Sequence, residues 1–303
     1  MQQPLQVTTE VVQIGVSVQG ADGNFVSGLQ QKNFRVLDGG VERPLMFFIP
    51  TDAPAEILVM VETGPAVYLI QNQHIAAAYA LLDGLAPDDQ VALVTYDETP
   101  RAVLEFTPDK SALQTALGKI QFSVGMGDLN FYDSLSSALD WIAPVPGKKT
   151  VVLLTTGIDS SPPARWDALV KKVRTSDAVI FPVALDGWLR KPPDKKKKSS
   201  AAQPADAAAQ IFANADKSML SLAAMTGGRA FFPQSPKDFV PMYQQIAAAL
   251  RHQYLLGIAP DHDGKFHSLT VQVLDANGQP SPAEGKKAVY RIFSREGYLA
   301  PGP

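Results

Sequence analysis

The sequence predicts an α/β fold, a doubly wound, mostly parallel sheet inserted into a β-sandwich built from both chain ends. Three observations predict it. Short, continuous runs of Val, Ile and Leu alternate with helix-length segments through the middle of the chain, as in parallel strands covered on both faces. Alternating apolar and polar residues, punctuated by Gly and Asp turns, mark both ends as β. Neither end has enough strands for a stable sheet of its own, so pairing the two ends is the economical way to bury their apolar faces.

The N-terminal half of the sandwich is expected over residues 1–53. Val12, Ile14, Val16 and Val18 form one apolar face, alternating with Val11, Gln13, Gly15 and Ser17. Ala21-Asp22-Gly23-Asn24 and Asp38-Gly39-Gly40 read as turns, the second a hairpin in which Gly accepts positive φ. Phe34–Leu37 and Leu45–Ile49 read as strands between and after them.

The α/β domain is expected over residues 54–253. Its strands are Ile57–Val61, Val91–Tyr96, Thr150–Thr155 and Ala178–Val183, with Val103–Phe106 as a short antiparallel addition. Its helices are Tyr68–Leu82, Lys110–Ile120, Phe131–Ile142, Arg165–Thr175, Ser218–Thr226 and Phe239–His252. Thr107-Pro108-Asp109 is a start signal and Gly227-Gly228 a stop signal. Residues 187–217 interrupt the pattern with Pro192-Pro193, four lysines at 195–198 and an Ala/Ser/Gln-rich run, which reads as a flexible, solvated, Lys-rich insertion. Residues 254–303 are expected to supply the other half of the sandwich, with strands Tyr254–Ile258, Ser268–Leu274 and Val289–Phe293.

Composition bounds the function. At 303 residues the chain holds one large domain or two ordinary ones, and 46% hydrophobic with 19% charged residues is globular. A net charge of −3 argues against a general nucleic-acid binder. The absence of cysteine excludes disulfides, thiolate metal sites and cysteine nucleophiles. No run approaches the roughly 18 apolar residues that span a bilayer. The chain opens on polar Met1-Gln2-Gln3-Pro4, without a leader-like apolar run.

In a doubly wound sheet, ligands bind at the carboxyl ends of the strands near the point where strand order reverses. Three segments are expected there: Glu62-Thr63-Gly64-Pro65-Ala66, Gly127–Asp133, and Thr155-Thr156-Gly157-Ile158-Asp159. In this order they resemble the von Willebrand factor type A domain, a Rossmann-like family. Its metal-ion-dependent adhesion site takes Asp-x-Ser-x-Ser, a Thr and an Asp from these three places. The resemblance implies Mg²⁺ or Ca²⁺ there, with an open coordination position for a partner's carboxylate. Tyr132-Asp133 and Thr155-Thr156-Gly157 fit the frame, but the ligand positions are replaced: Glu62 for Asp, Gly64 and Ala66 for Ser, Leu129 for Thr, Thr156 for Asp. Such cations want about six oxygen donors. The expectation is therefore a degenerate, metal-free site with no cofactor.

Outside the core, Val26-Ser27-Gly28-Leu29, Asn33–Val36, Asp38-Gly39, Leu250–Gly257, Asp263–His267 and Arg295-Glu296-Gly297-Tyr298 are similar to the opening and closing motifs of von Willebrand factor A-related proteins abundant in acidobacteria. That resemblance implies an exported protein, periplasmic, cell-surface or secreted.

Other tempting residues read as structural. Asp133 reads as a first-turn helix charge, and Phe131 and Tyr132 as packing. His74, His252, His262 and His267 are scattered without metal-ligand spacing or an evident partner for base catalysis. Ser160-Ser161 lack a Gly-x-Ser-x-Gly elbow. No phosphate-binding glycine loop follows the first core strand.

The reading is a non-enzymatic protein-interaction or adhesion module, metal-independent, with a partner-binding crevice at Glu62, Thr63, Asp128, Asp133 and Asp159. The alternatives are metal-dependent adhesion through carboxylates rebuilt from Glu62, Asp133 and Asp159, an assembly protein using exposed sandwich edges, and a hydrolase using the same crevice.

Overall fold

Strand β5 (Ala55–Glu62) lies at the centre of the largest sheet because both of its faces are apolar. Ile57, Val59 and Val61 enter one core cluster, with Leu113, Tyr243 and Ile246 from two helices. Leu58 and Met60 enter another, with Leu135, Leu139, Leu169 and Leu222. A strand covered on both sides in this way has no solvated face to alternate with. The computed structural model describes residues 10–65, 67, 79, 81–82, 84–123, 127–185, 204–282 and 289–303.

The sheet contains β7 (Pro100–Thr107), β6 (Gln90–Tyr96), β5, β8 (Lys148–Thr155) and β9 (Val179–Ala184), in that order. The pairs β5–β6, β5–β8 and β8–β9 are parallel, and β7 is antiparallel to β6. Strand order reverses between β5 and β8, which places the switch point at Glu62 and Thr155. Helices α1 (Lys110–Leu117) and α5 (Phe239–Arg251) cover one face, and α2 (Phe131–Ile142), α3 (Pro163–Thr175) and α4 (Pro204–Thr226) cover the other. Asp109 starts α1 by accepting from the amides of Ser111 and Ala112, as its sequence predicts.

The chain ends build two further four-stranded sheets. One has the order β12 (Tyr290–Ser294), β1 (Val12–Gly20), β10 (Gln253–Ile258), β4 (Phe47–Ile49). The other has β13 (Gly297–Leu299), β11 (Phe266–Val273), β2 (Phe34–Asp38), β3 (Val41–Arg43). Each mixes strands from both ends, and their inward residues Ile14, Val16, Val36, Tyr254, Leu256 and Val271 share one cluster.

Two expectations are corrected. Residues 204–217, assigned to the flexible insertion, belong to α4. The Ala-rich run there favours helix, and Pro204 stands at its first position, where its missing N–H costs nothing. The lysines at 195–198 lie outside the described residues, as does most of the expected helix Tyr68–Leu82. The C-terminal segment contributes four strands rather than three, because the three-residue β13 is too short to show a period.

The first four-stranded sheet meets the α/β part through close backbone approach. A Cβ on Gly15 would lie 2.6 Å from Cγ2 of Val179, and one on Gly227 would lie 2.6 Å from the backbone of Ser294. The buried Arg295 crosses the same junction. It donates to the carbonyls of Gln13 at 3.3 Å, Arg174 at 2.8 Å, Ser176 at 2.9 Å and Gly297 at 2.8 Å. Two of these acceptors are orphan carbonyls at the end of α3, where a cation is favourable. Tyr254 likewise pins the Val26–Leu29 loop, donating to Val26 O at 2.8 Å and accepting from Leu29 N at 3.1 Å.

Candidate functional site

The candidate site is the crevice over the carboxyl ends of β5 and β8. β5 ends on Glu62, whose carboxylate turns inward and is completely buried. One of its oxygens accepts from the Thr156 amide at 2.7 Å, Thr155 Oγ1 at 3.1 Å and Tyr96 Oη at 3.1 Å. Thr156 Oγ1 reaches both oxygens, at 3.0 and 2.9 Å. Tyr96 and Thr155 are themselves 2.6 Å apart. Burial pushes the Glu62 carboxyl up to about 7, against the pull of the Thr156, Thr155 and Tyr96 hydrogen bonds. Burial also raises Tyr96 well above the usual phenol range.

Leu129 lies above this pocket and is itself buried. A Cβ on Gly64 would sit 3.1 Å from Leu129 Cδ1. The leucine thus occupies the space that a serine at position 64 would need, and Gly64 and Leu129 fit each other. The loops bearing Leu129 and Asp159 are stitched together, with Ser160 N donating to Leu129 O at 2.8 Å and Leu129 N reaching Ser160 Oγ at 3.2 Å.

The expected crevice residues part company here. Glu62 and Thr63 are buried, so neither presents a surface to a partner. Thr63 is consumed by Tyr96 O, to which its amide donates at 2.8 Å and its hydroxyl at 3.0 Å. Asp128 is exposed. Asp133 is half-buried and pairs with Arg165 at 3.5 Å. Asp159 accepts from the amides of Tyr132 at 2.7 Å and Ser161 at 2.6 Å. It therefore caps α2 from another loop, while Asn130, the cap residue of that helix, makes no side-chain cap bond. Ala66 lies outside the described residues.

The rebuilt carboxylate set is not assembled. Glu62, Asp133 and Asp159 do not form a group of ligand atoms within 4.8 Å of one another among the described residues. Each is instead committed to a different structural partner. Nor do the described residues fit the ion that the sequence resemblance implies. Glu62 is ringed by donors rather than by other acceptors, Gly64 offers no oxygen, and Leu129 brings methyl groups to a ligand position.

Two groupings escaped the sequence. Asp38, Asp261 and His267 bring ligand-type atoms within 4.8 Å of one another. His267 bridges Asp38 at 2.9 Å and Asp263 at 3.1 Å, and Tyr298 Oη donates to Asp38 at 3.1 Å. Arg43 pairs with Asp261 and reaches Asp38 at 3.3 Å, so a guanidinium already supplies positive charge there. Hydrogen bonding to Asp38, offset in part by burial, raises the His267 pKa. The motifs around Asp38, Asp263 and Tyr298 named these residues, but only pairing of β2, β11 and β13 joins them. The second grouping is Ser27 and His252, whose Oγ and Nδ1 are 2.6 Å apart. Its ring stacks on Phe25 at 5.9 Å, and among the described residues no carboxylate orients it.

No family model matches the chain, and no curated protein matches it. Similar solved structures include von Willebrand factor type A domains. One is a von Willebrand factor type A protein from Catenulispora acidiphila, at 12% identity and TM-score 0.48, over 98% of this chain and 75% of the other. BatB from Bacteroides thetaiotaomicron matches at 13% identity and TM-score 0.43, over 64% of this chain and 97% of its own. The vWF domain of the type V pili tip protein Mfa5 from Porphyromonas gingivalis matches at 19% identity and TM-score 0.30, over 37% and 43%. At these values the likeness carries no function across. Among the described residues no helix is long and apolar enough to cross a membrane.

Proposed function

We propose that the chain is a non-enzymatic, exported protein-interaction module of the type A kind, in which the metal position has become a hydrogen-bonded plug. The two four-stranded sheets are read as one sandwich interrupted by the α/β domain, and the acidobacterial proteins as its kin. The observation that carries the metal-free reading is the state of Glu62: buried, with donors from Thr156, Thr155 and Tyr96 on its oxygens. A cation there would have to displace those donors, and desolvating it among so few acceptors is unfavourable. Recognition is left to the surface around the plug, where Glu98, Asp128, Asp133 and Asp159 outnumber the paired cations Arg101 and Arg165. A protein partner presenting cationic or amide donors suits that rim.

Calorimetric titration with Mg²⁺, Mn²⁺ and Ca²⁺ tests the plug. No heat attributable to this crevice is expected, and tight binding lost in Glu62→Ala would overturn the metal-free reading. Co-purification from the native organism tests the interaction. A partner should survive EDTA and be lost on the charge reversals Asp128→Arg and Asp133→Arg. A partner released by EDTA and indifferent to both reversals would sink the reading.

A further inference from the structure

A cleft of about 690 Å³ opens where the first four-stranded sheet meets the α/β part. None of the crevice residues around Glu62 lines it, so the cleft is independent of the type A crevice and its plug. Its size falls in the range of small-molecule sites, which are common where two structural units join.

The cleft is built into the junction. Gly227 and Gly228 form part of its wall. A Cβ on Gly227 would lie 2.6 Å from the Ser294 backbone, and one on Gly228 would lie 1.9 Å from Ile180 O. The Gly227 contact joins the two parts, while the Gly228 contact fixes the cleft wall within the α/β part. Four phenylalanine rings line it: Phe25 and Phe293 from the outer sheet side, Phe181 and Phe231 from the α/β side. Side-chain amides of Gln244 and Gln245 from α5 add hydrogen-bonding capacity.

Charge decides the occupant. The chain carries 30 Asp and Glu residues and a net charge of −3, yet among the described residues no carboxylate lines this cleft. The ionisable groups lining it are Arg229 and His252. The Arg229 guanidinium lies over the Phe231 ring, 5.2 Å from its centroid, at the boundary of the aromatic surface. Among the described residues Arg229 has no ion-pair partner. A single guanidinium beside aromatic rings suits one carboxylate, which it binds bidentately, more than a polyanion that needs several cations.

We propose that this cleft binds a small organic carboxylate with an aromatic or branched aliphatic body, its carboxylate on Arg229 and its body on the phenylalanines. Titration of the full chain with 3-phenylpropionate and with its uncharged amide, 3-phenylpropionamide, tests this by calorimetry and by amide chemical-shift mapping. The acid should bind and shift residues 227–231 and 244–252. The amide should bind about tenfold more weakly, the scale of one charge-assisted hydrogen bond. Arg229→Gln should bring the acid down to the level of the amide. Ala248→Trp, which fills the cleft from α5, should abolish both. If that variant unfolds at lower temperature, Gln245→Trp at the same wall replaces it. No binding of the acid at millimolar concentration, equal affinity for acid and amide, or shifts confined elsewhere would each overturn the proposal.

Discussion

Glu62 is the residue on which the crevice turns. Its folded carboxyl titrates near 7 against an ordinary value of 4.5, because burial penalises the charge more than its hydrogen bonds repay. The sign follows from which state holds the proton. Between pH 4.5 and 7 the unfolded chain loses the Glu62 proton while the folded chain keeps it. Stability from this group is therefore full below pH 4.5, declines as pH rises, and is gone above about 7. The swing is on the order of 3 kcal/mol. Glu62→Gln keeps the shape without the titration, so its unfolding temperature should lose the decline between pH 5 and pH 8 that the parent shows. An unchanged decline in the variant would assign the effect elsewhere. Gly64 and Leu129 give a second test at this scale. Gly64→Ser alone crowds Leu129 and should cost about 1 kcal/mol, and Leu129→Ala should absorb most of that cost in the double variant. Additive costs in urea unfolding would show that the two positions do not share the space.

At the scale of elements, helix α2 depends on a loop that is remote in sequence. Its own cap residue, Asn130, makes no side-chain cap bond, and Asp159 supplies the acceptor for the Tyr132 amide. Asp159→Ala should cost about 1 kcal/mol, with Asp159→Asn costing less because it keeps an acceptor. Faster hydrogen exchange at the Tyr132 amide is the local readout, and unaltered exchange there would refute the capping role. The same dependence on remote segments is why so much of the elements was legible and so little of the site. The strands Ile57–Val61 and Val91–Tyr96 and the helix Phe131–Ile142 announce themselves by period and composition, which are local. Asp159 as a cap, Ser27 beside His252, and Asp38 beside His267 arise from chain segments brought together by folding, and no local period encodes them. Helix α4 was obscured because its first half adjoins a Lys-rich run whose polarity masked the helix-forming alanines.

For the whole molecule, Arg295 is the clasp. Its guanidinium joins β1, the end of α3 and β13, and burial pulls its pKa down to about 10, with Asp177 opposing. Arg295→Met should destabilise the chain by about 3 kcal/mol, since four carbonyls, one buried and three partly buried, lose a charged donor. Trp141 in α2 and Trp166 in α3 report the α/β part by fluorescence, Trp188 lying outside the described residues, while far-ultraviolet dichroism follows everything. In the parent chain the two urea transitions should coincide. In Arg295→Met they should separate, and coincident curves in the variant would remove the clasp. Gly227→Ala strikes the same junction through the backbone of Ser294 and should cost about 3 kcal/mol.

The sequence by itself determined the strand and helix pattern, the parallel central sheet and the residue types Glu62, Gly64, Leu129 and Thr156 around the carboxyl ends of its strands. Those follow from residue type, spacing and period, which act over a few residues. Only the tertiary structure decided the environment of Glu62. Burial depends on what lies above a residue, and the groups that seal Glu62 come from β6, the loop after β8 and the segment entering α2. A carboxylate that reads as the lip of a crevice is therefore a buried plug, and an open cleft lies instead at the junction of the two parts.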